Sequence, residues 1–387
     1  MHTITDDQRR ARLARRHGLA APLDSVAAAT AAMTCLHATE PASVHLAAFA
    51  RSGAALDDVD KALYDDRSVV KQLAMRRTVF AFPRDLLPAV WGSAAARVAA
   101  QQRAQLARDV EKAGITPDGS RWVGEATSAV LEILHTRGPL TTTELRTELP
   151  VLDARLVVSP GKTYGGEFPV APRVLTTLAA SGVIMRGPNE GGWKTSRPRW
   201  TPTADWIDAG PPLPEAEGYA ALIRSWLHTF GPGTEADLTW WLGATKAAVR
   251  RALADVEAVE VGLGSGTGWV LPDDLADEEP VAPWAALLPA LDPTTMGWKE
   301  RAFYLGDHAQ RLFDANGNAG PTAWWDGRIV GGWTQRDDGT VVVVPAEPLP
   351  PAATGALQER ADALTAWLAG DVVKSIYQSP LVRHAAT

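Results

Sequence analysis

Two stretches of this chain spell the same turn. Gly138-Pro139-Leu140-Thr141-Thr142-Thr143-Glu144-Leu145 and Gly231-Pro232-Gly233-Thr234-Glu235-Ala236-Asp237-Leu238 share the pattern Gly-Pro-x-Thr-x-x-acid-Leu. Each follows a stretch with amphipathic helical spacing. Each precedes a further helix and a hairpin pattern. Internal repetition of this kind means one supersecondary unit used more than once. The order helix, tight turn, helix, helix, hairpin is that of a winged helix, and a repeated winged helix makes DNA the first partner to consider.

The chain has 387 residues, too many for one core, so two to four domains are expected. Residues 1–112 read as a degenerate winged helix with a helical extension. Helices are expected over 26–36, 44–50 and 57–64, a hairpin over 69–75 and 78–82 with Arg76-Arg77 at its turn, and a long helix over 84–112. Residues 113–212 form a second winged helix, with helices over 122–134, from a Thr142 or Thr143 cap to 149, and over 171–180. Hairpin strands follow at 183–186 and 193–200, and residues 151–172 are a long loop. Residues 213–280 repeat the unit compactly, with helices over 219–230, 235–242 and 246–255, a wing around Gly264-Ser265-Gly266 and an acidic linker over 273–280. Residues 281–387 carry strands at 284–291, 323–325, 328–333 and 340–344 and a helix over 353–368, which predicts a small antiparallel sheet or β-barrel with a helix. The fold class is α+β.

Net charge is −7, which alone argues against a nucleic-acid binder. Its distribution weakens that objection. Residues 1–112 hold 16 Lys and Arg against 12 Asp and Glu, whereas residues 213–387 hold 12 against 23. The N-terminal end has no basic-then-apolar secretory pattern and no apolar run is long enough to span a bilayer, so a cytoplasmic protein without membrane contact is expected. Cys35 is the one cysteine, which excludes intrachain disulfides and a cysteine-rich zinc site.

Several residues taken together resemble the winged-helix DNA glycosylases typified by AlkZ and YcaQ. They are Leu36-His37-Ala38-Thr39 with the downstream Phe49-Ala50-Arg51, then Met75-Arg76-Arg77-Thr78-Val79, and then Leu288-Pro289-Ala290-Leu291-Asp292-Pro293 with Trp298, Arg301 and Arg328-Ile329-Val330-Gly331-Gly332. The resemblance spans nearly the whole chain. It implies three tandem winged helices and a C-terminal barrel forming a concave surface for double-stranded DNA. It also implies excision of bulky N7-alkylated purines, genotoxin adducts and interstrand crosslinks among them, without flipping the base into a deep pocket. The family's Gln-x-Gln or Gln-x-Asp catalytic motif falls on His37-Ala38-Thr39, so both functional side chains differ here.

An N7-alkylated purine is already cationic and leaves readily. The protein has to stabilise an oxocarbenium-like sugar and orient a water. Neutral His37, with an ordinary pKa near ~6.5, can accept a proton from that water. Thr39 offers a hydroxyl, and Glu40 or Asp292 is a candidate for the missing carboxylate. Against these roles stand ordinary ones: His37 capping carbonyls or packing, Thr39 capping the helix before Pro41, and His45 facing a helix surface or core.

DNA-contact candidates are Arg76 and Arg77 at the first turn, Trp193, Lys194, Arg197 and Arg199 on or beside the second wing, Lys162 and Tyr164 in the long loop, and Arg301. Lys246, Arg250 and Arg251 read as ordinary solvated charges, and Trp298, Trp324, Trp325 and Trp333 as core. No His pair has metal-ligand spacing, Gly161-Lys162-Thr163 lacks the setting of a phosphate loop, and no lysine is marked as a Schiff-base nucleophile. No cofactor, no metal and no lyase activity are therefore expected. With no coiled-coil segment visible, the chain reads as a monomer. Two further functions fit the same residues: a tandem winged-helix DNA-binding protein without catalysis (a damage recogniser or transcription regulator), or a resistance protein sequestering a genotoxin in an aromatic-rich barrel.

Overall fold

The computed structural model describes residues 2–158 and 165–385. The chain gathers into two compact units: Met1–Val70 with Ala81–Arg84 and Tyr219–Thr387, and Lys71–Phe80 with Asp85–Gly218. It passes between them twice within the hairpin Val69–Ala74 and Thr78–Pro83, and again at 84/85 and 218/219. Leu36–His37 completes that sheet, in which Thr78–Pro83 is central.

The repeated octapeptide has one physical meaning in both places. Gly138, at φ 80°, ends the helix Gly119–Arg137. Thr141 then accepts the Glu144 amide while the Glu144 carboxylate accepts the Thr141 amide. Thr234 and Asp237 repeat this capping box at the helix Glu235–Leu242. The following leucines, Leu145 and Leu238, are fully buried and anchor each helix. The cap of the first copy is thus Thr141, not Thr142 or Thr143, because only Thr141 stands three residues before an acid.

In the second unit Ala96–Lys112, Gly119–Arg137 and Ala171–Ala180 enclose a core of Val123, Val130, Leu134, Val174, Leu178 and Ile184. The hairpin Ile184–Asn189 and Pro198–Pro202 closes it. The strand expected over 193–200 begins only at Pro198. Gly191 and Gly192 have φ near 87° and 85°, and the Thr195 hydroxyl donates to the Gly192 carbonyl at 3.0 Å, so residues 191–196 turn instead of pairing. The loop expected over 151–172 contains two paired strands, Arg155–Val158 and Gly166–Pro169. Lys162 and Tyr164 lie outside the described residues.

In the first unit a helix that sequence reading passed over, Asp6–Arg16, is capped by a Thr5–Gln8 box. Its basic face does not present itself to a polyanion. Arg12 and Arg16 both bond Asp274, and Arg16 also bonds Glu278, so the acidic segment neutralises the helix. The helix expected over 26–36 stops at Ala32. Thr34 turns left-handed, φ 60°, and its hydroxyl lies 3.0 Å from those of Thr229 and Ser225. Glu235–Leu242, Lys246–Asp255 and the hairpin Val259–Leu263 with Gly266–Val270 follow in order.

The C-terminal strands Ala285–Leu288, Thr322–Trp325, Arg328–Gln335 and Val341–Pro345 pair antiparallel in that order. They form an open sheet, not a closed barrel. The helix Pro351–Leu368 contacts both outer strands through a face that includes Leu357, Leu364 and Leu368, and it covers them where a barrel would join them. No helix among the described residues is long and apolar enough to cross a membrane.

Candidate active site

The strand Leu36–His37 delivers the motif to the start of the helix Pro41–Ser52. His37 is half-buried. Its Nδ1 accepts the Thr39 backbone N–H at 3.4 Å, a long bond. Thr39 is exposed.

Glu40 is the unusual member. It holds the N-cap position before Pro41, where a carboxylate ordinarily accepts amides of its own first turn. Here it makes no such bond. The carboxylate instead accepts the Ser375 hydroxyl at 2.8 Å and the Ile376 N–H at 2.6 Å, from a segment 335 and 336 residues further along the chain. Burial raises the Glu40 pKa above the ordinary carboxylate range, and these two hydrogen bonds hold it back only in part. The Ser375 segment is itself pinned, since Gln335 accepts the Val373 N–H at 2.7 Å and donates to the Asp371 carbonyl at 3.0 Å.

Glu40 stands at the edge of a cavity of about 490 Å³, between the helix Pro41–Ser52, the open sheet and the C-terminal segment. Trp333 forms part of the wall. Its indole N–H donates to the Leu288 carbonyl at 2.8 Å.

Asp292, the other candidate carboxylate, has a different role. It is 1% exposed and grips the fully buried Arg51 through two bonds of 2.6 and 3.0 Å. It also caps Thr294, whose hydroxyl takes a further Arg51 bond at 2.8 Å. His17 lies against the same hydroxyl at 2.9 Å and is held neutral, its pKa well below normal because burial and then Arg51 disfavour the charge. Both halves of the Phe49-Ala50-Arg51 and Leu291-Asp292-Pro293 motifs therefore meet in one buried ion pair, closed to water and to substrate. His45 is buried beside Asp60, 3.0 Å away, as a structural histidine.

The basic candidates divide by what they touch. Arg76 and Arg77 are exposed at the turn of their hairpin, with φ of 55° and 60°. Lys194 and Arg197 are exposed on the turn before Pro198, beside the half-buried Trp193. Arg199 is committed to the Pro139 carbonyl and the carboxylates of Glu190 and Glu144. Arg301 donates to the Trp298 carbonyl and lies 5.1 and 4.8 Å from the Trp240 and Phe313 rings, a sandwich that fixes it. Sequence reading missed Arg186, half-buried with its guanidinium 4.6 Å from the Trp200 ring. Burial lowers its pKa to about 10, which leaves it cationic at neutral pH. It also missed Ser375 and Ile376, for which no local pattern exists.

Residues 30–367 match the family described as DNA glycosylase AlkZ-like, and the chain belongs to that family. An interstrand DNA cross-link repair glycosylase of Streptomyces sahachiroi is 31% identical over 240 residues, covering 59% of this chain and 61% of that protein. The aligned part thus spans less than two thirds of the relative. The solved structure of the Streptomyces sahachiroi DNA glycosylase AlkZ shares the fold, with a TM-score of 0.71 at 24% identity over 96% of this chain and 98% of that one.

Proposed function

We propose that this chain is a monofunctional DNA repair glycosylase that hydrolyses the N-glycosidic bond of bulky N7-alkylated purines in double-stranded DNA. The observation that carries the reading is the Glu40 carboxylate. It is half-buried, drawn off its own helix by Ser375 and Ile376, and directly follows the residues that replace the family motif. It supplies the acid that His37-Ala38-Thr39 lacks.

In the reaction the oxygen of water bonds to C1′ as the C1′–N9 bond breaks. The electron pair of that bond passes to the purine, which leaves neutral because its N7 substituent had made it cationic. The water proton passes to Glu40. His37 orients the water, and proton acceptance falls to the carboxylate. Ionised Glu40 also lowers the energy of the positive sugar in the transition state.

The three-helix-and-hairpin units read as winged helices, and the four-part division at 112, 212 and 280 is the domain scheme this reading uses. Arg76, Arg77, Lys194, Arg197 and Trp193 are the DNA contacts it favours, with Arg199 and Arg301 assigned to the scaffold. The protein acts as a cytoplasmic monomer on this reading. A single-turnover assay on duplex DNA carrying one N7-alkylguanine tests it. Abasic product from wild type that vanishes in His37→Ala and Glu40→Gln supports the assignment. DNA binding without product from methyl or bulky adducts refutes it in favour of a non-catalytic DNA-binding role.

A further inference from the structure

The cavity that Glu40 lines holds no part of the substrate in the reaction as written above. Its volume of about 490 Å³ falls within the range of small-molecule sites, roughly 300–1,000 Å³. One side of its wall is apolar. Leu46 enters from the helix Pro41–Ser52, and Val342 and Val344 from one face of the strand Val341–Pro345. Val342 and Val344 are two residues apart, as the period of a strand requires for side chains sharing a face.

Two polar side chains of the wall are committed to partners within the protein. Gln335 uses both its amide hydrogens and its oxygen on the backbone at Gly339, Asp371 and Val373. The Ser375 hydroxyl donates to Glu40 and accepts from the Tyr377 amide. On the apolar side a ligand meets carbon surface and shape. At the mouth the charges are exposed, with Lys374 3.4 Å from Asp337. Such a space suits an uncharged aromatic or alicyclic body of variable structure, attached to something charged that stays outside.

We propose that this cavity receives the apolar body of the adduct while the base to which it is bonded stays beside Glu40. The inference rests on the glycosylase reading. It adds that substrate size is read inside the first unit, by the sheet and the helix Pro41–Ser52. A small adduct such as N7-methylguanine has nothing to place in the cavity and gains nothing from it.

Val344→Trp and, independently, Val342→Trp fill the space from positions outside the reacting groups. Single-turnover excision is measured for wild type and both variants on one duplex carrying N7-methylguanine and another carrying an N7-guanine adduct with a fused aromatic body. The expected result is a loss of about tenfold or more on the bulky adduct with the methyl adduct cut at the wild-type rate. Retained methyl excision also certifies that each variant is folded. Equal rates of wild type and both variants on the bulky adduct overturn the cavity assignment and leave the glycosylase reading standing. No excision of either adduct by wild type overturns the reading beneath it. If both variants lose the two activities together, Val342→Ala and Val344→Ala, which enlarge the cavity, decide the matter. Unchanged selectivity between the adducts in those variants also counts against the assignment.

Discussion

Replacing Arg76-Arg77 by Asn-Gly should make the protein more stable and a poorer binder of DNA. Both arginines sit in the left-handed region, at φ 55° and 60°. Two consecutive positive φ values belong to the tight hairpin turn that favours Asn-Gly. Each residue bearing a Cβ pays about 1–2 kcal/mol for that conformation. Asn tolerates it better and Gly freely, although the added freedom of Gly in the unfolded chain takes back about 0.5–1 kcal/mol. A net gain of about 1 kcal/mol remains, which raises the melting temperature by about 2–4 °C for a unit of this size. If both arginines contact phosphates, the slope of log affinity against log salt falls by about 0.9 for each, and at 0.1 M salt the pair is worth roughly 60-fold. Thermal unfolding and salt-dependent DNA titration of the variant measure the two effects. A control with Arg15 and Arg16 changed to Ala should leave the salt slope as it was, because Arg16 is already committed to Asp274 and Glu278. An unchanged slope in the Asn-Gly variant, or a lower melting temperature, refutes the reasoning.

Two further outcomes follow from the buried charges. Ser375→Ala removes a hydrogen bond that favours the charged form of Glu40, so its pKa rises further. Because the base must be ionised, the acid limb of the pH–rate profile should move to higher pH with little change in the plateau. Asp292→Ala strands the buried Arg51 charge and should cost about 3–5 kcal/mol, read as a large drop in melting temperature. The pair Arg51→Met with Asp292→Leu should recover most of that loss.

Local chemistry was legible where it was closed within a few residues. Thr234 with Asp237, the apolar spacing that ends at Ala180, and the turn at Arg76-Arg77 all depend on near neighbours, and the elements formed where their patterns pointed. Reading failed where a distant partner decided the outcome. Thr34 ends a helix early because its hydroxyl meets Thr229 and Ser225. Asp292 and Glu40 are both carboxylates next to a motif, and nothing local separates them. One is sealed against Arg51, and the other is held half-open by Ser375. The barrel became an open sheet because the helix Pro351–Leu368, not a strand, meets its edges.

The pH dependence of single-turnover excision, compared between wild type and Glu40→Gln on one N7-alkylguanine duplex, tests the role of Glu40 most directly. Wild type should lose activity on acidification with a midpoint above the ordinary glutamate value of ~4.3, since burial raises this carboxyl. Glu40→Gln should be slowed by about 10²-fold or more, with that limb gone. A Glu40→Gln enzyme as fast as wild type, with the same acid limb, contradicts the assignment and returns the chemistry to His37 alone.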